Sequence, residues 1–421
     1  MPLHYIRKIT KYFLCDDTLI NTIYIVFGNS VFALSQWILI SMVSKLTNMS
    51  TLGFYTYSIA IVTTIFSFSN FNLRSIILSD SNNEYKKEDL LLFRIITTFL
   101  SIIITLIIGI LQNTDYCILY FVLGLRSIES IAEYFNSIQL KNNNFKNISI
   151  SLSLKGFISI ISTYIGLQFY ESIYLALLIN ILFYLIIFIY NDFLKYKKIS
   201  TVLLSANLKN IKKLFIVSLP LGFVMFLVTF NSNLNKFIIT NTIGSAEQGV
   251  FSAFSYILIA GGFIINAYSV SHVSILANHL KKNELVDFKN KSIKLISFSF
   301  IFGIALTLTA VVLKNTIIVL FFNSSMLEYS NLLIFIMIVG LFLYPSTSMG
   351  YIMTSMKLFK VQPIIFVIVI IINALISLLL AQKFRLIGIT TGLFVSYLIQ
   401  FILFYIAINR KYKEIVNNNC N

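Results

Sequence analysis

Three charged side chains stand inside a run of residues, 116–139, that is otherwise apolar enough to cross a membrane. Arg126, Glu129 and Glu133 follow helical spacing, which places them within about 60° of one another on a helix. Such groups can form ion pairs, bind anions or accept hydrogen bonds from hydroxyl groups. A charge at the centre of a bilayer costs at least about 2.5–3.5 kcal/mol, so this stripe must face protein or water.

Two interpretations of the stripe are open. It lines a water-filled cavity, or it is structural, with Arg126 paired to Glu129 one turn on and Glu133 holding a neighbouring helix. Within the first interpretation, Glu129 and Glu133 also suit a coupling site for H⁺ or Na⁺, although nothing in the sequence chooses the ion.

Composition identifies an integral membrane protein without a soluble domain. Of 421 residues, 57% are hydrophobic and 11% charged, and the mean hydropathy is +0.86. The three cysteines are far apart and odd in number, so they predict neither a metal site nor a disulfide framework. No cofactor is expected, and no cleavable signal is visible before the first apolar run.

Twelve apolar runs predict an all-α fold with about twelve transmembrane helices. They cover residues 19–43, 50–71, 91–112, 116–139, 148–169, 172–191, 214–240, 248–278, 292–313, 331–354, 363–381 and 387–408. The segment between 314 and 330 is the weakest boundary and has the character of a short surface helix.

The basic residues predict the orientation. With a cytoplasmic N-terminus, 26 of the 32 Lys and Arg residues fall in cytoplasmic segments, starting with Arg7, Lys8 and Lys11. This asymmetry predicts that both termini are cytoplasmic. It also accounts for the net charge of +16, because basic loops lie against an anionic leaflet of membrane lipids. Nucleic acid is therefore not expected as a partner.

The longest cytoplasmic loop lies at the midpoint and predicts two six-helix halves, residues 1–200 and 201–421. The segment Gly53-x-Tyr55-Thr56 near the start of the second span matches Gly249-x-Phe251-Ser252 near the start of the eighth. Repeated bundles with a site between them are typical of transporters.

A second polar face lies on the seventh span, where Thr229, Ser232, Asn233, Lys236 and Thr240 follow helical spacing. Asparagine side chains suit sugar hydroxyls and lysine suits a phosphate. Lys236 alternatively extends to the lipid headgroups at the membrane surface.

Several short motifs, taken in order, carry a resemblance to a known family. They are Leu52-Gly53-Phe54-Tyr55, Leu73-Arg74-Ser75, Leu154-Lys155-Gly156, Ser218-Leu219-Pro220-Leu221-Gly222, the asparagine-rich segment ending at Lys236, Ile243-Gly244, Gly249-x-Phe251-Ser252 and Gly261-Gly262. Over residues 15–410 the chain resembles the polysaccharide (O-antigen type) flippases of the multidrug/oligosaccharidyl-lipid/polysaccharide (MOP) exporter superfamily. Lys236 stands where such proteins more often have Arg, and Ser69-Asn70-Phe71-Asn72 replaces an acidic segment with glycine.

The resemblance implies a MATE/MOP-like fold of two six-helix bundles around a central cavity, in the bacterial inner membrane. It implies transport of an undecaprenyl-diphosphate-linked oligosaccharide to the outer leaflet, alongside a polysaccharide polymerase and a chain-length regulator. The substrate would contact Arg126, Glu129, Glu133, Asn233 and Lys236. Three basic residues near the cytoplasmic ends of their spans either admit the lipid diphosphate or simply anchor the helices at the headgroups: Arg74, Arg94 and Lys155.

Two other classes of function predict different sequence features. An H⁺- or Na⁺-coupled multidrug or metabolite exporter of the same fold predicts a cavity with acidic ion sites and little fixed positive charge. A membrane glycosyltransferase or polymerase needs a catalytic domain or a large external loop, and neither is present in the pattern of spans. The sequence therefore favours a transporter over an enzyme.

Overall fold

The computed structural model describes residues 17–80, 84–111, 116–195 and 208–420, and these ranges are overwhelmingly helical. The α-helices of these ranges are α1 Asp17–Leu46, α2 Met49–Ser69, α3 Leu73–Ser79, α4 Lys87–Leu111, α5 Tyr116–Lys141, α6 Phe145–Gln168, α7 Ile173–Ile187, α8 Leu208–Thr242, α9 Ser245–Lys281, α10 Leu285–Phe321, α11 Ser330–Ser355 and α12 Val361–Cys420. A π-helix, Phe188–Phe193, continues α7, and a 3₁₀ helix, Ser324–Tyr329, precedes α11.

All twelve predicted spans are helical, but the last two lie in a single helical segment, α12. In the described part of the chain, ten helical segments are long and apolar enough to cross a membrane. The charged α5 is not among them, because every 18-residue window of it contains at least three charged side chains. The last segment, α12, holds two predicted spans, since Arg385 breaks it with a left-handed φ of 47°.

The two arms of α12 pack against each other as an antiparallel hairpin. Ser377 Oγ donates to the carbonyl oxygen of Ile389 at 3.3 Å, and Gly392 lies directly against Ser377. The expected break between spans at 381–387 is therefore a turn centred on one residue. In contrast, the expected boundary at residue 313 is only an irregularity: α10 continues to Phe321 through Leu313, whose φ and ψ are −113° and 15°.

Helix α4 buries many polar side chains and exposes large apolar ones. On α4 the buried face carries Asp89, Arg94, Thr97, Thr98, Ser101 and Thr105. Large apolar side chains such as Phe99, Ile107 and Ile110 are exposed. A helix whose apolar face meets lipid must satisfy its polar groups inside the protein. Thr98 accordingly bonds to Ser130 on α5 at 2.9 Å, and Ser101 bonds to Ser69.

The chain forms two compact units. Among the described residues, the first unit falls within Met1–Leu39 and Ile61–Phe226, and the second within Ile40–Ala60 and Leu227–Asn421. Aromatic side chains around Phe71, Phe93 and Phe135 form a core in the first unit, and Leu276, Met353 and Phe404 belong to a core in the second. The predicted division at residue 200 and the basic residues Arg7, Lys8 and Lys11 lie outside the described residues.

The two copies of the repeated glycine motif meet within the second unit. A Cβ atom at Gly53 would overlap the carbonyl oxygen of Ser245, and one at Gly249 would overlap that of Met49. Each glycine thus faces the residue four positions before the other, so α2 and α9 approach with almost no side chain between them. One polar contact reinforces the approach: Thr56 Oγ1 on α2 donates to Gln248 Oε1 on α9 at 3.1 Å. Gln248 Nε2 in turn donates to Ser252 Oγ of its own helix at 3.0 Å.

We therefore expect Gly249→Ala to lower the free energy of unfolding by about 2 kcal/mol, because the added methyl group overpacks against backbone atoms that cannot move aside. Thermal unfolding of the detergent-solubilised protein measures the effect. Gly262→Ala is the matched control, since a Cβ there would meet nothing within 4 Å. Equal melting temperatures for the two variants would contradict the close packing of α2 on α9.

Candidate functional site: a charged cavity in the first unit

A cavity of about 300 Å³ opens within the first unit. Its walls come from α1, α3, α5 and α6. The lining residues are Ile25, Asn29, Phe32, Arg74, Arg126, Glu129, Ala132, Glu133, Asn136, Ile148, Leu152 and Lys155. The three charged residues of the predicted stripe on α5 therefore face the same space, together with two of the three basic residues predicted to admit a lipid diphosphate.

Glu133 is fixed by partners from two other segments. Arg94 Nη2 on α4 donates to Glu133 Oε2 at 3.0 Å, and Asn70 Nδ2 donates to the same oxygen at 3.3 Å. Arg94 Nη1 also donates to Asn70 Oδ1, and so does Ser130 Oγ, at 3.4 Å. The Arg94 side chain is 2% exposed, whereas that of Glu133 is 37% exposed. Arg94 thus lies behind the cavity wall and presents Glu133 to the cavity.

Arg126 and Glu129 form an ion pair on one turn of α5. Arg126 Nη1 donates to Glu129 Oε2 at 2.8 Å, and the two side chains are 33% and 23% exposed. Arg126 Nε is buried and has no hydrogen-bond partner among the described residues. The side chain nevertheless lines the cavity and is 33% exposed, so its guanidinium can donate to a further acceptor there.

Lys155 is paired with a residue that does not line the cavity. Its Nζ donates to Asp192 Oδ2 at 2.8 Å, and the side chains are 3% and 0% exposed. Asp192 lies in the π-helix Phe188–Phe193, a helical form that occurs mostly as single-turn insertions in α-helices and is frequent at functional sites. A buried charge requires such a partner, because an unpaired one is strongly destabilising.

Arg74 differs from the other cations of the cavity because it forms no ion pair within the described part of the chain. Arg74 is the second residue of α3. This helix follows Phe71 and Asn72, whose φ values are 47° and 48°. These left-handed residues turn the chain sharply after Asn70. Every other charged residue that lines the cavity is therefore paired with an opposite charge, and Arg74 is left with its own.

The predicted residues of the seventh span lie elsewhere. Lys236 and Asn233 belong to the second unit and do not line the cavity. Lys236 Nζ donates to Asn233 Oδ1 at 3.2 Å and lies 5.4 Å from the ring centre of Tyr256. Both side chains of the hydrogen-bonded pair are buried, so protein surrounds the ammonium group.

Sequence reasoning did not identify four residues at or behind the cavity as part of a site: Asn29, Asn70, Asn136 and Asp192. Asn29 and Asn136 are amides that line it. Their only signal is a polar side chain in an apolar run, which occurs at many other positions. Asp192 falls at the end of a predicted span, where a charged residue is ordinary.

Comparison with known proteins decides the fold. The chain superposes on an inward-facing multidrug resistance MATE family transporter of the MOP superfamily with a TM-score of 0.68, at 14% identity, covering 93% of this chain and 99% of that one. A MOP superfamily transporter from Pyrococcus furiosus gives 0.63 at 15% identity, covering 92% and 94%. The chain has the MOP-transporter fold.

The MOP fold confirms the expected all-helical, multi-pass membrane architecture, and it is a fold of transporters and not of an enzyme family. No protein-family model matches the chain. A capsular polysaccharide biosynthesis protein, CapF of Staphylococcus aureus, is 25% identical over 390 residues, which are 91% of this chain and 98% of that protein. This similarity confirms the resemblance to proteins of polysaccharide biosynthesis that the motifs indicate.

The two carboxylates of α5 should differ in their effect on stability. Glu133→Ala leaves the guanidinium of Arg94 buried without its counter-charge, and we expect it to lower the free energy of unfolding by about 3 kcal/mol. Glu129→Ala should cost less than about 1 kcal/mol, because Arg126 is open to the cavity and water replaces the lost partner. Thermal unfolding in detergent compares them, and equal losses would show that Arg94 does not depend on Glu133.

Proposed function

We propose that this protein is a flippase for an undecaprenyl-diphosphate-linked oligosaccharide, the repeat unit of a capsule or O-antigen. It moves the sugar-diphosphate head from the cytoplasmic to the outer leaflet by alternating access, while the lipid tail stays in the bilayer. The observation that carries the proposal is the charged cavity within an apolar bundle of MOP fold. The similarity to CapF over nearly the whole of both chains supports the link to a polysaccharide.

The chemistry of the cavity suits such a head group. A diphosphate diester carries two negative charges and cannot enter hydrocarbon without compensation. Arg74 supplies a positive charge without an ion-pair partner among the described residues, and the Arg126 side chain lines the same cavity and is 33% exposed. Carboxylates accept hydrogen bonds from sugar hydroxyls, and amides both accept and donate them. We give this role to Glu129, Glu133 and Asn136.

The other predicted residues take supporting roles in the proposal. Lys155 attracts the diphosphate at the cytoplasmic end of the cavity, while Arg94 holds Glu133. Asn233 and Lys236 of the second unit contact the substrate at a later stage of transport. Both termini are cytoplasmic, in the bacterial inner membrane, and a polysaccharide polymerase and a chain-length regulator act on the product.

The alternative is an H⁺- or Na⁺-coupled exporter of drugs or metabolites. The observation that favours it is the likeness of the fold to multidrug MATE transporters, together with Glu129 and Glu133 as candidate coupling groups in the cavity. The three cations that line the same cavity weigh against a cationic drug as cargo.

Complementation of a deletion strain tests the proposal. Arg74→Gln combined with Arg126→Gln removes the two cations best placed for a diphosphate, so we expect surface polysaccharide to fall at least about tenfold. Lipid-linked oligosaccharide should accumulate in the cytoplasmic leaflet. Immunoblotting of membranes verifies the protein level, and quantification of extracted surface glycan measures the effect.

Lys289→Ala is the matched control, because Lys289 is an exposed cation of α10 remote in sequence from the cavity residues. Normal surface glycan in the double variant, at normal protein level, would refute the flippase assignment. Normal glycan in the deletion strain together with lost efflux of ethidium would establish the exporter instead.

A further inference from the structure

The Lys155–Asp192 pair combines two properties that a purely structural ion pair does not need. Lys155 lines the cavity, whereas Asp192 does not. Asp192 is fully buried, and its Oδ1 has no hydrogen-bond partner among the described residues. The carboxylate therefore depends on one ammonium group that also borders the proposed path of an anion.

The two partners differ in mobility. Asp192 is short and lies in a π-helix that packs on α5, with Phe188 and Phe193 each 5.8 Å from the ring of Phe135. Asn191 Nδ2 fixes the same segment to α6 by donating to the carbonyl oxygen of Asn147 at 3.1 Å. Lys155 in contrast carries its charge on a flexible four-carbon stem. The ammonium can turn toward the cavity, while the carboxylate stays in place.

We propose that Asp192 is an internal competitor for Lys155, which lowers the affinity of the cavity for the diphosphate and so permits its release. The inference rests on the flippase proposal and deepens it. When the diphosphate binds, Lys155 is shared between the substrate and Asp192, and the cost of leaving Asp192 unpaired in a dry site opposes binding. When Lys155 returns to Asp192, the substrate loses a contact and leaves. The carrier thus avoids holding a doubly charged ligand too tightly for turnover.

Binding of a defined probe tests this role. The probe is farnesyl diphosphate carrying one N-acetylglucosamine, a diester with two negative charges, titrated calorimetrically into the full-length protein in detergent at fixed ionic strength. Asp192→Asn removes the competing charge at almost constant volume, so the affinity for the probe should rise on the order of tenfold. Lys155→Met should weaken binding, and adding Asp192→Asn to Lys155→Met should change nothing further.

Transport of the same probe in proteoliposomes gives the second readout. Asp192→Asn should bind more tightly and yet turn over more slowly, whereas a merely structural defect would weaken both. Asp89→Asn is the matched control: Asp89 is also a fully buried carboxylate of the first unit, accepts from Asn210 Nδ2 at 2.7 Å and does not line the cavity. The Asp89→Asn variant should bind the probe with the affinity of the wild type.

Each other outcome is decisive. Unchanged or weaker binding by folded Asp192→Asn overturns the inference, and so does equal binding by Lys155→Met and the wild type. If Asp192→Asn does not fold, the double variant Lys155→Met with Asp192→Asn leaves no charge of the pair buried and unpaired, and its affinity still decides whether Lys155 contacts the diphosphate. If the wild type does not bind the probe at all, the flippase proposal fails together with the inference. If Asp192→Asn and Lys155→Met both bind the probe as tightly as the wild type does, the flippase proposal stands and only the proposed role of Asp192 is refuted.

Discussion

The cost of placing charge in an apolar bundle governs the arrangement of the first unit. An ion removed from water must recover its lost hydration from a partner, and geometry decides whether it does. Three basic side chains find carboxylates at 2.8–3.0 Å, namely Arg94, Arg126 and Lys155. Two of these pairs join different helical segments, so electrostatic compensation also fixes α4 against α5 and α6 against the π-helix. The need to pair buried charges therefore also holds together the helices that form the cavity walls.

Paired charges give the cavity a particular character. Its surface carries ions of both signs, yet its net charge within the described residues is that of Arg74. Apart from Arg74, the charged groups that a ligand meets are already paired, so the ligand must exchange with their existing partners to bind. Affinity in such a site is a difference between two sets of contacts. This suits a carrier, which has to release what it binds, better than it suits an enzyme or a storage protein.

Local patterns in the sequence predicted much of this structure. Apolar runs located the spans, and the spacing of Arg126, Glu129 and Glu133 placed them on one face, because helical periodicity depends only on near neighbours. The partners were beyond reach: Asn70 is 63 residues from Glu133 and Asp192 is 37 from Lys155. Such pairs depend on which helices become neighbours. Arg94 likewise carries no mark in the sequence that distinguishes a guanidinium behind a wall from one at the membrane surface.

The contact between Gly53 and Gly249 makes two distant positions of the chain interdependent. Each glycine lies against the backbone four residues before the other. A bulky replacement of either glycine therefore pushes on the segment that carries the other, so the allowed size at one position depends on the backbone around its counterpart. A pair of residues nearly two hundred positions apart thus behaves sterically as a single site.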